Sequence, residues 1–218
     1  MRKSGFIFDL DGVIVDTAKY HYLAWKDLAN DLGFEFTKAQ NERFKGVSRK
    51  KSLEILLEIG NVDATPEQFE HWMAKKNTDY LVYIDQMDEA EILPDVVKVL
   101  DCLKSNNVPI SLGSASKNAK PILEKVNLLH YFDAIVDGNS VTKAKPDPEV
   151  FLMAAEQLGV VPEACVVFED AIAGIRAANT AKMLSIGIGD KKHLLEADYV
   201  FSDFTEIHLD FIKNIAKI

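Results

Sequence analysis

Positive charge is in short supply in this chain. Lys and Arg number 25 against 34 Asp and Glu, and the net charge is −9. That balance excludes a general surface for nucleic acid or for an anionic membrane. Cysteine is scarcer still: only Cys102 and Cys165 occur, each inside an apolar segment. Two buried, reduced thiols fit that setting better than a disulfide or a cysteine metal site. No apolar run is long enough to span a bilayer. The basic start Met1-Arg2-Lys3-Ser4 leads into an apolar run that reaches Asp9 too soon for a signal peptide, so a cytoplasmic location is expected. Neither G-x-G-x-x-G nor a P-loop signature occurs, which argues against dinucleotide chemistry. Repeats and low-complexity linkers are also missing. What remains is 218 residues, 48% hydrophobic, enough for a sizeable core in one large domain or two small ones.

The stretch that organises this chain is Phe6-Ile7-Phe8-Asp9-Leu10-Asp11-Gly12-Val13-Ile14-Val15-Asp16-Thr17. It opens with a short apolar run of the length of a buried strand. Gly12 permits backbone angles that end a strand. Asp9 and Asp11 therefore fall at a strand's carboxyl end, the edge where open α/β sheets bind ligands. Two carboxylates so close oppose each other's ionisation, and a divalent cation relieves the conflict. Asp9 could then attack phosphorus, and Asp11 could exchange a proton with a hydroxyl. An Asp-Gly turn with solvated carboxylates is the plain alternative for a bare D-x-D-G.

After Thr17 the period becomes helical. Ala18, Tyr22, Trp25, Ala29 and Leu32 recur at spacings of three and four, and Gly33 ends the run. A short helix follows over 37–44. Ser48 caps the next, with Leu53, Leu56, Leu57 and Ile59 on one face and Gly60 after it. Thr65-Pro66-Glu67-Gln68 carries a cap, a first-turn Pro and a capping box. Phe69, Met73, Lys76, Tyr80 and Ile84 then follow one stripe. Beyond Pro94 helices and strands alternate: helices over 96–103, 117–128, 148–158 and 171–178, strands over 109–113, 134–136, 165–168 and 183–186. The alternation predicts a parallel sheet covered on both faces. The expected fold is α/β, a Rossmann-like parallel core over 1–16 and 93–218, with an inserted all-helical cap over 17–92.

Three later strands also end in polar residues. The strand ending at Gly113 runs into Ser114-Ala115-Ser116-Lys117-Asn118, where hydroxyls and N–H groups at a helix start suit an anion. The strand ending at Phe168 runs into Glu169-Asp170, a second acidic pair. Between them, Lys145 precedes a helix opened by Pro148. Capping, dipole complementarity and solvation explain each of these singly. Two acidic pairs at two strand ends of one sheet together make a Mg²⁺ site.

These four segments resemble, in order, the four motifs of the haloacid dehalogenase-like phosphotransferases. The resemblance implies Asp9 as nucleophile, Asp11 as acid/base, and Ser114 and Lys145 as phosphoryl-oxygen ligands. It implies Mg²⁺ held by the Asp9 carboxylate, the Asp11 backbone carbonyl and Asp170, with Glu169 in or beside that ligand set. Within the family, Lys45-Gly46-Val47-Ser48-Arg49 resembles the cap loop of its sugar-phosphate mutases, where the Arg holds a distal phosphate. Thr17, His21 and Lys76 match positions of that branch, and Ala115, Ser116, Lys117 and Asn118 match its core phosphate loop. Two positions depart from the family's pattern: Gly138 follows Asp137 where relatives have Pro, and Lys50-Lys51 follows Arg49 where acidic residues are common. The implied activity is interconversion of β-D-glucose 1-phosphate and glucose 6-phosphate through an aspartyl-phosphate enzyme and glucose 1,6-bisphosphate. A Mg-dependent sugar-phosphate or phosphoglycolate phosphatase is the alternative. The expected partner is a small sugar phosphate, with no nucleic acid and no membrane. The sequence does not fix the oligomeric state, and a monomer is the expectation.

Overall fold

The computed structural model describes residues 4–44 and 47–218. Strand β1 (Gly5–Phe8) is buried along its whole length, as a near-continuous apolar run predicts. The inserted segment then forms α1 (Ala18–Asp31), α2 (Lys38–Asn41), α3 (Arg49–Gly60) and α4 (Pro66–Asp85). Alternation follows: α5 (Val96–Ser105), β2 (Ile110–Gly113), α6 (Ala119–Lys125), β3 (Ala134–Val136), α7 (Glu149–Leu158), β4 (Cys165–Glu169), α8 (Ile172–Thr180), β5 (Leu184–Ile188), β6 (Tyr199–Phe201) and α9 (Leu209–Ala216). The six strands form one sheet in the order β3-β2-β1-β4-β5-β6, and every pairing is parallel. The fold is α/β, as the alternation predicts. No helix among the described residues is long and apolar enough to cross a membrane. Cys102 and Cys165 are both free thiols.

The period of two along β1 and β4 sorts the core into two layers. Ile7 and Val167 join Phe151, Ala154 and Ala177, the apolar side of α7 and α8. On the other face Phe8 stacks on Phe168 at 4.7 Å, and Phe168 on Phe204 at 5.4 Å. Each such ring contributes roughly 1.5–3 kcal/mol relative to exposure. β1 lies between β2 and β4, where the chain's winding direction reverses. The carboxyl ends of those three strands border the crevice that doubly wound sheets leave there.

The chain divides into two compact units, 1–16 with 88–218 and 17–87. The second crossing falls at Met87/Asp88 rather than at 92/93. The reason is backbone pairing inside the sheet-bearing unit: Asp16 N donates to Glu91 O at 3.0 Å and Leu93 N to Ile14 O at 3.0 Å. These bonds tie the outgoing and returning segments into a short ribbon.

In the helical unit, Trp25, Leu28, Ala29, Phe36, Leu53 and Leu56 form one buried cluster, with Phe69 and Met73 against it. Thr37 and Thr65 both close capping boxes, with Gln40 and Gln68. Gly60 is the last residue of α3 rather than its cap, which is Asn61 at φ 49°. A Cβ on Gly60 would lie 2.3 Å from the Phe34 ring, so glycine serves close packing there. Helix α6 is shorter than the 117–128 expected. The loop before it is folded by side chains, and Asn127 at φ 54° takes the chain out of helix.

Candidate active site

The core carries its acidic residues at the ends of β1 and β4. Asp9 N donates to Phe168 O at 2.9 Å, which fixes the residue at the sheet edge. Its carboxylate accepts from Lys145 Nζ at 2.6 Å, and Lys145 also donates to Glu169 Oε1 at 2.8 Å. All three side chains are buried. Glu169 Oε2 accepts from Ala171 N at 2.8 Å, so both of its oxygens are engaged by the protein. The Phe151 ring faces Lys145 Nζ at 4.7 Å.

Carboxylate oxygens of Asp9, Glu169 and Asp170 all lie within 4.8 Å of one another. Burial pushes the Asp9 carboxyl up to about 7. Lys145 pulls it back, and Glu169 and Asp11 push it further up. Burial, then Glu169 and Asp9, hold Asp170 well above the usual carboxylate range. Burial opposes the charge of Lys145, but Asp9 and Glu169 outweigh it and raise the ammonium above its usual value. Three carboxyls share one ammonium, which leaves two negative charges uncompensated when all are ionised. A hard divalent cation such as Mg²⁺ fits that donor set and that deficit.

Glycine makes the cluster possible at two places. Gly12 sits at φ +80°, and a Cβ there would stand 2.4 Å from Asp170 Oδ2. A Cβ on Gly174 would stand 1.7 Å from Glu169 Oε1. Gly174 escaped the sequence reading. Its signal was a glycine in the first turn of a helix, a position that weakens the helix unless space requires it. Asp11 lies in the turn after β1, bridged through its backbone to Val15.

Ser114 directly follows β2, fully buried, with its N–H on Val136 O at 3.0 Å. Its Oγ accepts from Ser116 N at 3.1 Å, and Ser116 Oγ accepts from Asn118 N at 3.2 Å. These N–H groups, read from sequence as part of an anion site, are thus engaged by the loop's own hydroxyls. The Ser114 hydroxyl proton is left to donate. Ala115 and Lys117 are exposed in this loop, and Asn118 precedes α6. The sheet therefore brings Asp9, Ser114 and Glu169 to one edge on adjacent strands, and hydrogen bonds add Lys145.

The helical unit holds a second group of candidates. His21 Nδ1 and Lys76 Nζ are 2.9 Å apart. Lys only donates, so Nδ1 accepts and the proton of the neutral ring is on Nε2. Burial, then the charges of Lys76 and Arg49, lower His21 well below its usual 6.5. The His21 ring stacks on Tyr80 at 4.2 Å. Lys76 is buried, with its ammonium 4.8 Å from the Trp25 ring centroid and 4.5 Å from that of Tyr80. Trp25 and Tyr80 were seen in sequence only as core residues. Their link to Lys76 joins helices 55 positions apart at the His21–Lys76 contact, which no local pattern reports. Ser48 caps α3 by accepting from Lys51 N, and Arg49 is the first helical residue, half-buried. Burial lowers the Arg49 guanidinium, and Tyr80 offsets this. Val47 is half-buried before that cap, and Thr17 is buried at the start of the unit. Lys45 and Gly46 lie outside the described residues.

A model of the haloacid dehalogenase-like hydrolase family matches residues 3–182. The chain belongs to that family. Over 208 residues it is 41% identical to the β-phosphoglucomutase of Bacillus subtilis strain 168, an alignment covering 94% of this chain and 92% of that one. A crystal structure of β-phosphoglucomutase from Clostridium difficile superposes with a TM-score of 0.92 at 41% identity, covering 100% of this chain and 98% of the other. The chain is also 32% identical over 216 residues to a phosphorylated carbohydrates phosphatase of Thermotoga maritima, covering 96% and 98%.

Proposed function

We infer that this protein is a phosphomutase that interconverts β-D-glucose 1-phosphate and glucose 6-phosphate. The observation that carries the reading is the cationic group on the cap. Arg49, Lys76 and His21 occur together in a chain that matches a mutase at 41% identity over 94% of its length.

In the proposed cycle an Asp9 oxygen attacks the phosphorus of glucose 1,6-bisphosphate. The bond from phosphorus to the sugar oxygen breaks, and Asp11 gives that oxygen its proton. Asp9 now carries an aspartyl phosphate. In the reverse sense Asp11 takes the proton of a sugar hydroxyl as that oxygen attacks the aspartyl phosphate. Lys145, already at 2.6 Å from Asp9, and Ser114 hold the phosphoryl oxygens. The Asp9 carboxylate, the Asp11 backbone carbonyl and Asp170, with Glu169 beside them, would hold Mg²⁺, which when bound would supply positive charge to offset that of the transferring group. The distal phosphate is assigned to Arg49 with the loop 45–48 and Lys76 on the cap, and the loop 115–118 is assigned to substrate phosphate on the core. Thr17 and His21, at the start of the cap, are assigned to the catalytic set with Asp9, Asp11, Ser114 and Lys145. The bisphosphate turns over between the two phosphate sites before phosphate returns to Asp9. Exclusion of water during this cycle keeps the aspartyl phosphate from hydrolysis.

We take the enzyme to be a cytoplasmic monomer acting on a small sugar phosphate, with no nucleic-acid or membrane partner. Light scattering at assay concentration tests the monomer. The activity is tested by phosphorus NMR of the protein with Mg²⁺, β-glucose 1-phosphate and a trace of bisphosphate. Glucose 6-phosphate without free phosphate supports the mutase. Free phosphate as the main product overturns it in favour of a phosphatase.

A further inference from the structure

The turn after β3 is built against the loop that follows β2. Gly138 N donates to Ser116 O at 3.1 Å. Asn139 Nδ2 donates to Lys117 O at 2.9 Å and also to Asp137 Oδ2 at 3.1 Å. Asp137 Oδ1 accepts from Asn139 N at 2.9 Å and from Ser140 Oγ at 3.2 Å, which sets the side chain of Asn139 by holding its own backbone. A Cβ on Gly138 would lie 2.3 Å from the Ala115 carbonyl oxygen. Two successive carbonyls of the loop, those of Ser116 and Lys117, are therefore fixed from outside. Its two serine hydroxyls fix the N–H groups of Ser116 and Asn118 from within. Without a side chain at Gly138, the turn can approach the loop this closely.

We propose that Asn139 is a positioning residue for phosphate binding. It acts through the Lys117 carbonyl to hold loop 115–118 in its binding geometry, and Gly138 provides the close approach. The proposal rests on the reading of 115–118 as a phosphate loop given above. Asn139 is exposed and reaches the loop through its hydrogen bond to the Lys117 carbonyl, so its effect belongs to substrate binding rather than to the transfer step. Removing one neutral hydrogen bond of this kind corresponds to a change of about two- to tenfold.

The test uses the full-length, Mg²⁺-loaded protein with Asn139→Ala, Asn139→Asp and Lys117→Ala. Both Asn139 variants lack the donated N–H. They are expected to raise KM for glucose 1-phosphate by about two- to tenfold, with kcat and the melting temperature close to wild type. Phosphorylation of Asp9 by acetyl phosphate, which has no distal phosphate, should keep its rate. A KM equal to wild type in both Asn139 variants, with KM raised in Lys117→Ala, overturns the role of Asn139 alone. An unchanged KM in Lys117→Ala overturns the reading of the loop itself. An equal fall in sugar-phosphate turnover and Asp9 phosphorylation, accompanied by a lower melting temperature, makes Asn139 merely structural and also overturns the proposal.

Discussion

The sheet-bearing unit and the helical unit gather charge of opposite sign, by different devices. In the first, three carboxyls cluster, and the one ammonium of Lys145 is shared between Asp9 and Glu169 at 2.6 and 2.8 Å. When all three carboxyls are ionised the excess is negative. In the second, Lys76 lies against the faces of Trp25 and Tyr80, and its hydrogen-bond partner His21 is held neutral. Aromatic faces attract a cation without cancelling its charge. Arg49 is near enough for its charge to act on His21 as well. The chemistry of each cluster differs accordingly: carboxyl oxygens suited to a hard cation gather in the core, and basic side chains gather on the cap.

The strongest way to break this comparison is Asp9→Asn. An amide cannot attack phosphorus, so turnover and phosphoenzyme formation should vanish while the circular dichroism spectrum is kept. Substantial residual activity would assign the nucleophile elsewhere.

Arg49→Lys separates the two units at a smaller scale. A guanidinium can form two parallel bonds to phosphate, whereas an ammonium is a point charge. Loss of a charge-assisted bond corresponds to about 1.5–3 kcal/mol, so kcat/KM for glucose 1-phosphate should fall roughly ten- to a hundredfold. Phosphorylation of Asp9 by acetyl phosphate should barely change. If both rates fell together, the cap cluster would not be a separate anion site.

Asp170→Asn sharpens the core half of the comparison. Buried carboxyls raised above their unfolded values hold protons in the fold that the unfolded chain has released. For Asp9 that window runs from 3.8 to about 7, and metal-free stability is lost as pH rises through it. Asp170 is shifted in the same direction. In chelator, the melting temperature of Asp170→Asn should exceed that of wild type by a few degrees, and the gap should widen toward alkaline pH. Added Mg²⁺ should stabilise wild type and have little effect on the variant. A wild type indifferent to Mg²⁺ would remove the cation site.

The smallest effect is expected at His21. Its folded pKa is lowered well below 6.5, so the stability it contributes is present above 6.5 and is lost as pH falls. His21→Gln keeps an acceptor for Lys76 and removes that titration. Its melting temperature should therefore fall less steeply than that of wild type between neutral and mildly acid pH. Parallel curves would place the cause outside the cap cluster.

Much of this was legible because it is local. The D-x-D-G string, the Thr65 capping box and the Gly159 cap at φ +66° are each written within a few residues. The parallel sheet was legible, since helix and strand alternate regularly after Pro94, but the order of its strands was not. β6 and α9 went unread. β6 has three residues, none of them buried, so its pattern lacks the apolar run that betrays an inner strand. α9 had a readable stripe in Phe211, Ile212 and Ile215, but only eight residues to carry it. Contacts between distant segments were not legible at all. Gly174 under Glu169, Asn139 on Lys117 and Lys76 between two rings depend on tertiary folding, and their sequence neighbourhoods look ordinary.

The ribbon joining Ile14–Asp16 to Glu91–Leu93 has a consequence for how such a chain can change over time. It turns the helical insert into a loop whose two ends are already fastened inside the sheet-bearing unit. The entropy of closing a loop grows only with the logarithm of its length, about 0.6 kcal/mol per doubling. The parallel sheet is therefore nearly indifferent to the size of what is inserted. A lineage can lengthen, trim or exchange the inserted segment while the strands of the sheet keep their register.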